Sequence, residues 1–124
     1  MSHNTPRPSE INYHQKSKIL DVTFADGAHF QLPAEYLRVY SPSAEVRGHG
    51  PGQEVLQVGK ENVKIIHIEP VGNYAVGLHF DDGHNTGIYS FEELYKLGVN
   101  KEQNWRDYLK RLEDAGHQRK VAKV

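Results

Sequence analysis

The spacing of apolar and polar residues changes period several times along this chain. Over residues 17–24, Leu20, Val22 and Phe24 alternate with Ile19, Asp21 and Thr23, the period of two that predicts a half-buried strand. Asp26-Gly27 follows and supplies the positive φ of a tight hairpin. A two-residue loop would set Phe24 opposite His29 and split the apolar residues between faces. A loop of Asp26, Gly27 and Ala28 sets Phe24 opposite Phe30 and Val22 opposite Leu32, so that register is expected. Pro33 suits a first helical position, with Tyr36, Leu37 and Tyr40 on the buried face of a short helix.

The unit recurs. Phe24-x-Asp26-Gly27 followed by Glu35-x-Leu37 is echoed by Phe80-x-Asp82-Gly83 followed by Glu92-x-Leu94, with one residue inserted between. The same loop applied to Asp82, Gly83 and His84 pairs Phe80 with Thr86 and Leu78 with Ile88. Ser90 and Glu93 have capping-box spacing, and Gly98 is expected to end that helix. Val63 to Glu69 and Tyr74 to Phe80 read as consecutive strands. Asn100 to Gln103 predicts another cap, before a helix up to Ala115 with Trp105, Tyr108, Leu109 and Leu112 on one stripe and Gly116 beyond it. The expected fold class is α+β, a mostly antiparallel sheet built from two β-hairpin-helix units plus a C-terminal amphipathic helix.

Flanking segments lack these periods. Residues 1–16, with Pro6 and Pro8, read as a disordered leader, and 117–124 as a basic solvated tail around a single domain at 17–116. Residues 41–61 form the least regular internal stretch, and a loop that long tends to be functional or disordered.

Composition narrows the function. The chain has 124 residues, a formal net charge of −1 and no cysteine. Thiolate metal sites, disulfides and a cysteine nucleophile are therefore excluded. Near-neutral charge argues against nucleic acid, and no apolar run approaches a membrane span or secretory signal, so a cytoplasmic domain is expected. The glycines Gly48, Gly50 and Gly52 do not make a phosphate cradle, because Gly59-Lys60 leads to Glu61 rather than Ser or Thr.

Histidine is the informative residue type, with eight copies. His67 lies in a strand whose two faces are both partly apolar, Ile66 and Ile68 against Val63 and Ile65, and reads as structural. His79-Phe80-Asp81 places an imidazole and a carboxylate on one strand face, the local half of a non-haem iron triad, but the chain has too few strands for the double-sheet scaffold that hosts one. His84 sits in the second turn.

Three separated motifs carry a resemblance. LRVYSPSAEVRGH at 37–49, IEPVGNY at 68–74 and FDDGHNTGIYS at 80–90 resemble the gamma-butyrobetaine-hydroxylase-like N-terminal domain family, a bacterial group of unknown function, over about residues 17–98. In the hydroxylases this domain precedes the catalytic jelly roll, binds zinc through three cysteines and a histidine, and helps form the dimer. Those cysteines fall here on Ser41, Ser43 and Val46, and the histidine on His84. Hydroxyls are poor zinc ligands and valine is none. The resemblance leaves zinc or iron on a rebuilt site, with His84 joined by His49 or by Asp81 or Asp82, as one expectation. Hydrogen bonds replacing the metal are the other. Relatives fused to P-loop ATPases that carry iron–sulfur clusters imply a protein partner in iron metabolism, and a homodimer is among the implied assemblies.

The resulting expectation is a non-catalytic accessory or interaction domain. Its candidate contacts are Arg38, Ser41, Ser43, Arg47, His49, His84 and Tyr89. A metal-binding protein using His84 and a small iron and 2-oxoglutarate oxygenase using His79 are the alternatives.

Overall fold

A computed structural model describes residues 5–48 and 52–120. The elements run β1 (Pro8–His14), β2 (Ile19–Phe24), β3 (His29–Pro33), α1 (Ala34–Val39), α2 (Ala44–Arg47), β4 (Ile65–Val71), β5 (Ala75–Phe80), β6 (Gly87–Ser90), α3 (Phe91–Val99) and α4 (Lys101–Asp114). The α+β class stands, but the strands form two antiparallel three-stranded sheets, β1-β2-β3 and β4-β5-β6, rather than one. Each is a hairpin-helix unit with one strand added before it. Their inner faces share one core, with Leu20, Val22, Phe24 and Leu32 from one sheet and Leu78, Phe80 and Tyr89 from the other.

The first hairpin turns one residue earlier than expected. Gly27 N donates to Phe24 O at 2.9 Å and Phe24 N to Ala28 O at 2.8 Å, so the loop is Ala25-Asp26-Gly27 and Val22 faces Phe30. Gly27 takes φ +91° at the last loop position, where a left-handed residue is required, and Asp26 Oδ1 accepts from Ala28 N at 2.9 Å. The slip moves every pair by two, so side-chain parity and the buried face are unchanged.

The second hairpin repeats that turn, with Gly83 N donating to Phe80 O and Phe80 N to His84 O. Residues 84–86 then carry the inserted residue, and pairing resumes as Leu78 with Gly87 and Val76 with Tyr89. An odd insertion inverts a strand. Tyr89 is therefore buried and Ile88 is 53% exposed, the reverse of the expected Leu78–Ile88 pair.

A second irregularity, between Ile65 and His67, resolves the mixed pattern of β4. Ile65 pairs with Phe80 on the inner face, Ile66 bulges out at 66% exposure, and His67 and Glu69 lie on the outer face opposite His79 and Gly77.

Residues 8–14 are a strand, not part of a disordered leader. Ile11 pairs with Val22 and Tyr13 with Leu20, and both pack on the core; Tyr13 Oη also accepts from Ile65 N at 3.1 Å. The proline at 8 is tolerated because it starts an edge strand.

Gly98 does not end α3. The helix continues to Val99, and a Cβ at Gly98 would lie 2.3 Å from the Phe30 ring, so glycine admits the aromatic cluster of Phe24, Phe30 and Tyr95. Ser90 caps α3 as expected, accepting from Glu93 N at 3.0 Å. Asn100 makes no side-chain cap for α4; its Nδ2 donates back to Lys96 O. Tyr108 and Leu112 are buried on α4 as the stripe predicts, whereas Leu109 is exposed.

The described part of the tail is docked rather than solvated. Arg119 Nε and Nη2 donate to both oxygens of the buried Glu35 at 2.8 and 2.5 Å, its guanidinium lies over Trp105, and Lys120 N donates to Glu61. Glu35 also accepts from Tyr108 Oη at 2.9 Å. Once α1 buries this carboxylate, a cation must meet it, and residue 119 supplies one. Among the described residues no helix is long and apolar enough to cross a membrane.

Candidate functional site

The bend after α1 and the turn after β5 meet. Ser41 leaves the helix end and Ser43 caps α2, its Oγ accepting from Glu45 N at 3.1 Å. His84 follows Gly83 in the second turn. Ser41 Oγ and His84 Nε2 lie 3.0 Å apart, both residues buried, and Ser41 Oγ also accepts from Ser43 N at 3.3 Å. Thr86 Oγ1 lies 3.2 Å from Ser43 Oγ and 3.1 Å from Glu45 Oε1, closing a polar brace between α2 and the second hairpin.

His84 Nδ1 faces Glu45 Oε2 at 3.4 Å without hydrogen-bond geometry. A carboxylate only accepts, so Glu45 favours the tautomer with the proton on Nδ1, in which Nε2 accepts from Ser41. Burial, reinforced by the nearby Arg38 cation, pulls His84 below the ordinary imidazole range, against the weaker opposing pull of Glu45 and Asp82. The ring is neutral at neutral pH.

Asp82 anchors the turn from the other side. It accepts from Arg38 Nε at 2.8 Å and Lys60 Nζ at 2.6 Å through Oδ2, and from His84 N at 3.1 Å through Oδ1. Desolvation would raise this carboxyl, but the donors from Lys60, His84 and Arg38 overcome it and hold it at about 2. Tyr89 lies beneath, donating to Leu37 O at 2.5 Å; burial pushes its phenol upward.

Five of the seven expected contacts, Arg38, Ser41, Ser43, His84 and Tyr89, are therefore buried parts of this junction. Arg47 alone among the described ones is exposed, paired with Glu93 at 2.9 Å. His49 lies outside the described residues. Beside the brace a cleft of about 420 Å³ is lined by Ser41, Val46, Arg47, Lys96, Asn104 and Arg111, among others. Sequence reading missed the parts of Lys60 and Glu35, because their partners lie on distant elements; Glu45, a candidate partner of Arg38 or Arg47, meets Thr86 and His84 instead.

The donor set does not fit zinc. Ser41 Oγ is committed to His84, Ser43 Oγ to the α2 amide, and Val46 offers only hydrocarbon. Asp81 does not join His79: its Oδ1 accepts from Lys64 N at 3.0 Å, whereas His79 Nε2 lies 2.9 Å from Glu69 Oε1 on the outer sheet face.

Two solved structures, each described as an NMR solution structure of a protein, are 45% and 46% identical to the chain. They cover 98% and 100% of it, and it covers 98% and 95% of them, at TM-scores of 0.80 and 0.82. A crystal structure of a protein of unknown function in the DUF971 family, from Acidithiobacillus ferrooxidans, is 40% identical over 78% of this chain and 98% of its own, with a TM-score of 0.65. No curated protein sequence matches. The family model for gamma-butyrobetaine hydroxylase-like, N-terminal domains matches residues 11–95, beginning within β1 and ending within α3, and the chain belongs to that family.

Proposed function

We propose that this chain is a non-catalytic accessory domain that docks a protein partner against the cleft between α2 and the α3–α4 pair. The carrying observation is the pairing of a rigid, hydrogen-bonded brace with an open, cation-bearing rim. Arg38, Ser41, Ser43, His84 and Tyr89 fix the platform, while around the cleft Arg47, Lys96 and Arg111 outnumber Glu54 and Glu93, a balance suited to an acidic segment. The family resemblance supports a finer reading, in which the partner belongs to iron or iron–sulfur protein metabolism and the encounter is cytoplasmic. A homodimer through the same rim is the competing assembly.

Cross-linking in cells followed by mass spectrometry tests it. Arg47→Glu with Lys96→Glu should remove the partner while leaving the amide spectrum of the fold unchanged. Iron or iron–sulfur proteins among the lost cross-links support the finer reading. An unchanged set of partners rejects the cleft, and cross-links between copies alone favour the homodimer.

A further inference from the structure

The outer face of β4 and β5 carries a second group of chemistry-bearing side chains, on a sheet face away from the brace. His67 pairs directly with His79 across the two strands, with ring centroids 5.0 Å apart. Glu69 follows His67 on the same face, two residues on. Its Oε1 lies 2.9 Å from His79 Nε2 and its Oε2 3.9 Å from His67 Nε2. Among the described residues these three form a group whose ligand atoms all lie within 4.8 Å of one another.

Two features of the chain produce this convergence. The bulge at Ile66 turns His67 and Glu69 outward together; without it, residues 65, 67 and 69 would share one face, and the strand parity that buries Ile65 would turn His67 and Glu69 inward with it. Gly77, opposite Glu69, leaves the surface open. A Cβ there would come within 3.3 Å of Glu69 Cγ and 3.4 Å of Oε1, so the missing side chain lets the carboxylate lean across the strand toward His79.

We infer that His67, Glu69 and His79 form a surface site for a divalent first-row cation, zinc foremost, with a fourth position open to water or to a ligand from another molecule. Two imidazoles and a carboxylate are a borderline donor set that suits zinc and disfavours calcium or magnesium, which take oxygen ligands. In a tetrahedral site with bonds of about 2.0–2.2 Å, ligand atoms lie roughly 3.3–3.5 Å apart. The two His–Glu distances straddle that value, so small side-chain rotations bring the donors to bonding range. His67 and Glu69 are 58% and 50% exposed at the side chain and His79 27%, which lets a hydrated ion enter directly.

The contrast is with His14, Asp21 and His29 on the outer face of the other sheet. There one carboxylate separates two imidazoles, with His14 on Oδ2 at 2.5 Å and His29 on Oδ1 at 2.8 Å, and the three donors do not gather within the same span. The residue types match, but the geometry spends the carboxylate as a bridge.

The site is independent of the proposed partner cleft, so either reading can fail alone. Zinc chloride titrated into the full, tag-free chain, followed by calorimetry and by histidine ring signals, tests it. The expected result is one equivalent bound per chain, with the His67 and His79 rings shifting together. His67→Gln, His79→Gln and Glu69→Gln should each weaken binding at least about tenfold, because each removes a direct ligand, while His14→Gln leaves it unchanged. All four positions are exposed or half-exposed, so the variants should keep the wild-type amide spectrum. Absence of binding at millimolar zinc, equal binding by the three variants, or shifts centred on His14 and His29 would overturn the assignment.

Discussion

Ser41 and His84, 43 residues apart in the chain, meet through a buried contact of 3.0 Å between hydroxyl and imidazole. The contact ties the end of one hairpin-helix unit to the turn of the other.

Ser41→Ala should lower stability by about 1–3 kcal/mol, because it strands both His84 Nε2 and Ser43 N in the interior. Urea denaturation followed by circular dichroism measures the shift. A change within error would show that the brace contributes nothing.

The triple change Ser41→Cys, Ser43→Cys and Val46→Cys installs beside His84 the three thiolates that the family resemblance implies at these positions. It should bind about one equivalent of zinc more tightly than the wild type. Elemental analysis after gel filtration, with His67→Gln in both backgrounds to silence the outer sheet face, reads the difference. No gain of zinc would place the family's ligand positions elsewhere.

Gly98→Ala sets two effects against each other. Helix propensity alone favours alanine by about 1 kcal/mol, but the added carbon would meet the Phe30 ring at 2.3 Å. Overpacking should win, with a net loss of roughly 1–3 kcal/mol, readable as a lower thermal midpoint and altered Phe30 ring signals.

Removing the guanidinium of Arg119 leaves Glu35 buried with only Tyr108 Oη as a donor among the described contacts. Arg119→Ala should cost about 1–3 kcal/mol, below the figure for a fully buried pair because Arg119 is partly exposed. Arg119→Lys should recover only part of it, since one ammonium cannot reproduce the two-point contact.

Acid should weaken the brace in two steps. His84 has a lower pKa folded than unfolded, so the unfolded chain takes up the proton first. Its stabilising contribution is complete above the usual imidazole pKa of about 6.5 and declines as pH falls through that value toward the folded one. Asp82, held at about 2, adds stability above the ordinary carboxyl range that is lost between about pH 4 and 2. Urea midpoints at a series of pH values should show both declines, and His84→Gln should flatten the upper one.

Much of the scaffold was legible because local patterns dominate it. The alternation at Leu20, Val22 and Phe24, the Asp-Gly turns, the Ser90 cap and the stripe through Tyr108 and Leu112 each report their own neighbourhood. The failures share a cause: a residue whose role is set by something distant. Gly98 reads as a helix stop until Phe30 is placed against it. Ile88 reads as core until the extra residue between His84 and Gly87 inverts the strand. Ile11 and Tyr13 alternate too briefly beside Pro8 to announce a strand, and the basic residue at 119 shows no purpose until Glu35 is buried.

The candidate site divides the same way. Family motifs placed Ser41, Ser43 and His84 together, and the coordinates agree. Lys60 and the histidine pair on the outer sheet face carry no motif, and only strand register and the bulge at Ile66 bring the latter into range.

The junction between the two hairpin-helix units is held by hydroxyl and imidazole rather than by sulfur. With no cysteine in the chain, an oxidant cannot staple or unstaple the two halves, so this crossing is uncoupled from cellular redox state.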